Sequence, residues 1–137
     1  MRRWLLAASI LVSACAREAS TARDRDEAAR VLRAIDTLIA ANDGEKAAPL
    51  AALEITACSE AIACAARDGC VAAFRPLVTS VTLQREVRAA MRAPGAAASV
   101  EALESKVLAA EAAQKEAAAK MEGCLRAAGD ARKAHRL

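Results

Sequence analysis

The chain has 137 residues and a formal net charge of +3, and its 40 alanines supply more than half of the 55% that is hydrophobic. With no Tyr, one Trp and one Phe, base-stacking platforms and aromatic ligand cages are excluded. The near-balanced charge, with no basic stripe, argues against a dedicated nucleic-acid binder. Low net charge and an excess of the best helix former argue against disorder.

The amino terminus begins with the positive run Met1-Arg2-Arg3, followed by a nine-residue apolar stretch, Trp4 to Val12, interrupted by Ser9 alone. As a helix that stretch is about 14 Å long, too short to span a bilayer and the right size for the core of an export signal. It ends in Val12-Ser13-Ala14-Cys15, which resembles the lipobox of bacterial lipoproteins. The resemblance covers residues 1–15 alone. It implies a signal peptide over 1–14, a diacylglycerol on the Cys15 thiol and a membrane anchor there. Ala16 stands where an Asp commonly retains such proteins at the inner membrane, so the resemblance implies the outer membrane, facing the periplasm. An ordinary secretory signal cut after Ala16 is the alternative, because Ala14-Cys15-Ala16 also fits a small-x-small site.

Removal of residues 1–14 leaves 24 large apolar side chains, enough for one small domain with a thin core. Residues 15–23 are small and polar and read as a lipidated tether. A helical bundle domain is expected over 24–129 and a basic, frayed tail over 130–137.

Four helices are expected in that domain. Asp24-x-x-Glu27 resembles a capping box, and Ala28, Val31, Leu32, Ile35, Leu38 and Ile39 form one apolar stripe that ends at Asn42-Asp43-Gly44. Pro49 fits the first turn of a second helix running to about Asp68, with Gly69 as its left-handed terminator. Within it Glu54 reads as a solvated acid near the helix start. A third helix covers 70–92, kinked or restarted at Pro76, and Ala93-Pro94-Gly95 is a loop. Ser99 caps a fourth helix whose inner positions are Val100, Leu103, Val107, Ala110, Gln114, Ala117, Met121, Cys124 and Ala128. Glu111–Lys115, Glu116–Lys120 and Glu122–Arg126 pair along its outer face, and Gly129 stops it. The fold class is therefore all-α, a small, Ala-rich, disulfide-stapled bundle of about four helices. The seam of the fourth helix also admits a coiled-coil dimer.

Four cysteines remain after Cys15. In an oxidising compartment disulfides are the default. Cys58 and Cys64, placed on one helix, stand roughly 9 Å apart, beyond bonding reach. The expected pairs are thus Cys64–Cys70, closing the turn at Gly69, and Cys58–Cys124, with Cys58–Cys70 plus Cys64–Cys124 as the alternative. A four-thiolate metal site fits poorly, because five-residue spacers are not zinc knuckles, and a C-x-x-C redox motif is absent from the sequence. No metal or cofactor is expected. His135, the sole histidine, falls in the tail, where it offers no base to a core nucleophile. These observations favour a non-enzymatic envelope protein, structural or protein-binding, whose expected partners are the membrane through Cys15 and an envelope protein, with no nucleic acid. The alternatives are a periplasmic small-ligand or metal carrier using the cysteines, and an enzyme or enzyme inhibitor whose site the sequence does not display.

Overall fold

The computed structural model describes the backbone of residues 5–92 and 99–137, and the side chains of 21–92 and 99–137. The architecture is all-α: α1 (Leu5–Ala40), a 3-10 turn (Asp43–Glu45), α2 (Ala47–Glu54), α3 (Ala61–Arg92) and α4 (Val100–His135). Helices α3 and α4 form a long antiparallel hairpin. Cross-contacts fix its register, because Glu60 meets His135, Cys70 meets Cys124, and Glu86 meets Lys106. Helix α1 and the short α2 pack on the half of the hairpin remote from its connection. The expected loop Ala93-Pro94-Gly95 lies outside the described residues.

The apolar stripe of α1 is buried as its periodicity predicts. Ala28, Val31, Leu32, Ile35 and Leu38 are inside, and Ile39 stays at the edge with 40% exposure. Leu50 and Leu53 of α2 complete the large-side-chain part of the core. The hairpin contributes mostly small residues: Ala63, Ala66 and Ala73 on α3, and Ala110, Ala117, Ala128 and Ala131 on α4. Small side chains let two helix backbones approach closely, and the Cα atoms of Cys70 and Cys124 stand only 4.4 Å apart.

Several helix boundaries differ from those read in the sequence. Helix α1 runs through the expected tether and through Asp24, so Asp24 caps nothing. The stretch AREASTAR is rich in helix-compatible residues, and no Gly or Pro breaks it. The second expected helix is two helices, with a non-helical link over 55–60. Gly69 does not end a helix. It lies inside α3, where a Cβ on it would stand 3.8 Å from the Cys124 Cα, an ordinary contact. Pro76 is also inside α3. It takes one hydrogen bond from the Ala72 carbonyl, and Ala72 lies on the exposed face, open to solvent.

Ser99 caps α4 as expected, accepting the Ala102 N–H at 3.2 Å. Gly129 does not stop the helix. Arg136 does, with φ 53° and ψ 48°. Its N–H reaches the Lys133 carbonyl and that of Leu137 the Arg132 carbonyl, the two bonds of a Schellman motif. The expected frayed tail is therefore a packed helix end, and Ala131 is fully buried. Of the expected outer-face pairs, Glu116–Lys120 and Glu122–Arg126 are formed. Glu54 pairs with Arg75 at 2.8 Å on the surface. At the upper end of α4 the heptad positions Val100 and Val107 are 76% and 42% exposed, since no third helix reaches them.

The disulfide pairing must also be corrected. The bonds are Cys58–Cys64 and Cys70–Cys124, not Cys64–Cys70 with Cys58–Cys124, and not the Cys58–Cys70 alternative. Cys58–Cys64 is out of bonding reach only on one continuous helix. Cys58 sits in the link, and its Cα is 5.5 Å from that of Cys64. Cys70 is free to cross to α4 because α3 continues past Gly69 and turns Cys70 into the seam.

One buried cation closes the carboxyl end of α1. Lys46 is 5% exposed, and its Nζ donates to the carbonyls of Leu38, Ile39 and Ala41 at 3.1, 3.1 and 2.5 Å. The last carbonyls of a helix have no partner within it and carry its negative end. The ammonium also lies 5.5 Å from the centre of the Phe74 ring, a cation–π distance, so one charge joins α1, the turn and α3. Replacing Lys46 by Met should leave those carbonyls unsatisfied and cost about 2–3 kcal/mol, read by urea unfolding. Loss of both Cys70 and Cys124 to Ala should cost more than loss of both Cys58 and Cys64. The loops closed span 54 and 6 residues, for which chain entropy gives about 4 against about 2 kcal/mol. Gly129→Ala should raise the melting temperature, because a Cβ there meets nothing within 4 Å and Ala is favoured over Gly in a helix interior by about 1 kcal/mol.

Candidate functional site

The densest polar arrangement among the described residues surrounds the start of α3. Ser59 and Glu60 precede the helix, and their amides have no helical partner. Glu27, from α1, supplies one. Its Oε1 accepts the N–H of Ser59 and that of Glu60, the latter at 2.7 Å, and its Oε2 accepts the Ser59 hydroxyl at 2.8 Å. Glu60 caps the next turn, with its carboxylate accepting from Ile62 at 3.0 Å and Ala63 at 2.6 Å. His135 Nε2, from the last turn of α4, lies 3.2 Å from Glu60 Oε2. Three helices thus converge on one helix N-terminus.

The electrostatics follow from those bonds. The Glu60 amide, then the Ser59 amide and hydroxyl, hold the Glu27 carboxyl down at about 2 against partial desolvation, with Arg30 assisting. For Glu60, burial pushes upward, but the Ile62 and Ala63 amides and His135 outweigh it and leave the group lowered. Both carboxylates are therefore fixed anions facing the positive end of α3, acceptors with no proton to give near neutral pH. Ser59 Oγ is turned to Glu27 rather than to His135, so no nucleophile–base pair is assembled.

The cysteines fall into two environments. Cys70 and Cys124 are fully buried in the hairpin seam. Cys58 and Cys64 are partly exposed beside Glu27. The side chain of Cys15, the expected lipidation site, lies outside those described. The sequence reading missed the junction of Glu27 with Ser59 and Glu60 because it took Glu27 for a local cap partner. It placed His135 in a loose tail, whereas the ring is only 13% exposed against Glu60. The available signal was the pair Ser59-Glu60 itself, a capping residue followed by an acid in mid-pattern.

No family model matches the chain, and neither a curated protein nor a solved structure shows significant similarity to it.

Because the Glu27 carboxyl is lowered from its ordinary 4.5 to about 2, its contribution to stability is complete above the unfolded value and is lost as pH falls through the folded one. Wild type should therefore lose stability between about pH 4.5 and pH 2 more steeply than Glu27→Gln. Denaturant midpoints measured across that range check the slope, and parallel curves would contradict it.

Proposed function

We propose that this protein is a lipid-anchored bacterial envelope protein, held at the outer membrane through Cys15 and facing the periplasm, where it acts as a non-enzymatic structural or protein-interaction module. The lipobox-like Val12-Ser13-Ala14-Cys15 supports the anchor. The observation that carries the interaction role is the upper end of the α3–α4 hairpin, beyond the cover of α1 and α2. There Met91, Val100, Val107 and Leu108 are 74%, 76%, 42% and 60% exposed, and a shallow groove runs between Gln84, Val87 and Arg88 on α3 and Val107, Ala110 and Gln114 on α4. A monomer whose solubility alone mattered has no use for that many exposed aliphatics on one arm.

The placement is suited to the role. The amino-terminal part of α1 lies beside the carboxyl end of α4, as the Arg25 bond to the Arg136 carbonyl shows. The far end of the hairpin is thus directed away from the end where the anchor enters, and from Ala61 to Arg92 it extends about 47 Å. The upper part of that hairpin presents its apolar groove to a protein partner at a distance from the membrane.

Two measurements test the reading. Cys15→Ser should leave an unacylated precursor that no longer partitions into detergent, and a wild-type product that is itself soluble would overturn the anchor. A photo-crosslinker at position 107 or 108 of the membrane-bound protein should give a discrete adduct with an envelope protein, while one at exposed Thr37 on α1 gives none. Val107→Glu with Leu108→Glu should abolish the adduct without lowering the melting temperature by more than a few degrees. Equal adducts at 37 and 107 would overturn the arm as the docking element.

A further inference from the structure

We propose that Cys58, Cys64 and Glu27 form a binding site for a thiophilic divalent cation of the zinc class once a dithiol reductant has opened the Cys58–Cys64 disulfide. The two sulfurs and a Glu27 carboxylate oxygen already lie within 4.8 Å of one another. Tetrahedral zinc, with bonds of about 2.3 Å to sulfur, asks its ligand atoms to stand roughly 3.8 Å apart. The sulfurs need only separate, and the chain permits it: Cys64 is fixed on the first turns of α3, whereas Cys58 belongs to the non-helical link between α2 and α3.

Glu27 is oriented for the task. Its Oε1 is held by two backbone amides, and among the described residues its Oε2 accepts the Ser59 hydroxyl alone. Oε2 is therefore the ligating oxygen, and the amides on Oε1 are the outer contacts that keep a ligand carboxylate in place. Two thiolates and one carboxylate leave a fourth position open, the arrangement of zinc sites that exchange a bound group. This set differs from a four-cysteine cage, since Cys70 and Cys124 are sealed in the hairpin seam.

The chemistry balances with a dithiol. One thiolate of the reductant attacks a sulfur of the Cys58–Cys64 bond, its second thiol resolves the mixed disulfide, and the reductant leaves oxidised by two electrons. The protein keeps two thiols, which surrender two protons as the cation binds. Partial exposure of Cys58 and Cys64 opens them to exchange, while full burial protects Cys70 and Cys124. The oxidised site has no thiolate to offer, so affinity for the cation is gated by the disulfide.

The test uses the mature chain treated with a mild dithiol, with peptide mapping to establish that Cys70–Cys124 is intact. Titration with Co2+ should produce a thiolate-to-cobalt charge-transfer absorption that saturates at one equivalent, release of two protons per ion, and loss of the band on adding Zn2+. Oxidised protein and Cys58→Ser or Cys64→Ser should show no such band. Glu27→Gln should weaken Co2+ binding at least about tenfold, with retained helicity checked by circular dichroism. No band in the reduced wild type overturns the site whatever the variants do, so a folding defect in Glu27→Gln leaves the test intact. Unchanged affinity in folded Glu27→Gln overturns the part assigned to the carboxylate.

Discussion

The carboxylate of Glu27 is the contact on which the shape of this molecule turns. A helix that stops and restarts within a few residues exposes new amides at each restart, and burying them without acceptors costs about 1–3 kcal/mol each. Glu27 takes two of those amides and a hydroxyl at once. With them satisfied, the chain leaves α2 at Glu54, turns through 55–60 and begins α3 in a new direction. Everything placed by that turn depends on it: the stacking of α2 against α1, the closeness of Cys58 to Cys64, and the phase of α3 that sends Cys70 into the seam. The same bonds fix α1 axially against α3, because a shift of one residue in α1 would carry Glu27 some 100° off the site.

The core divides between two kinds of packing. Helices α1 and α2 supply Val31, Leu32, Ile35, Leu38, Leu50 and Leu53, and α3 adds Phe74. The hairpin seam is alanine and cysteine. An alanine methyl removes little area from water, about 0.8 kcal/mol per carbon group, so the seam gains from close backbone approach and from covalent closure what it lacks in side-chain volume. Where α1 and α2 end, the large residues end with them, and above that level α3 and α4 hold each other by alanines and by surface pairs such as Glu86–Lys106. Exposed pairs of that kind contribute little. The upper arm is therefore the least stabilised part of the hairpin, and Met91, Val100, Val107 and Leu108 stay exposed on it.

What the sequence made legible was the part governed by local periodicity. The stripe of α1, the Ser99 cap, the first-turn Pro49 and the all-α class rest on spacing and capping chemistry, which the structure uses directly. The three helix interruptions that the structure does not have share one cause. Gly69, Pro76 and Gly129 were read as punctuation because each is unfavourable inside a helix, by about 1 kcal/mol for Gly and about 3 for Pro. Inside a 32- or 36-residue helix packed along its length, neighbouring hydrogen bonds and the partner helix outweigh such amounts. The real break over 55–60 contains neither residue. It is made by Glu27, which is distant in sequence, and no window around residues 55–60 contains that information.

The cysteine pairing shows how one boundary propagates. On a continuous helix Cys58–Cys64 is geometrically excluded and Cys64–Cys70 is attractive. Break the helix at residue 55 and remove the stop at Gly69, and both judgements reverse. The bond across the break joins the link to the helix it precedes, next to the carboxylate that made the break. The bond in the seam ties α3 to α4 at the level where the alanine packing is tightest. One disulfide sits at a turn held by polar contacts, and the other in the buried seam between two helix faces that pack through small side chains. In a chain with so few large apolar residues, that is where cross-links contribute stability that side-chain burial does not provide.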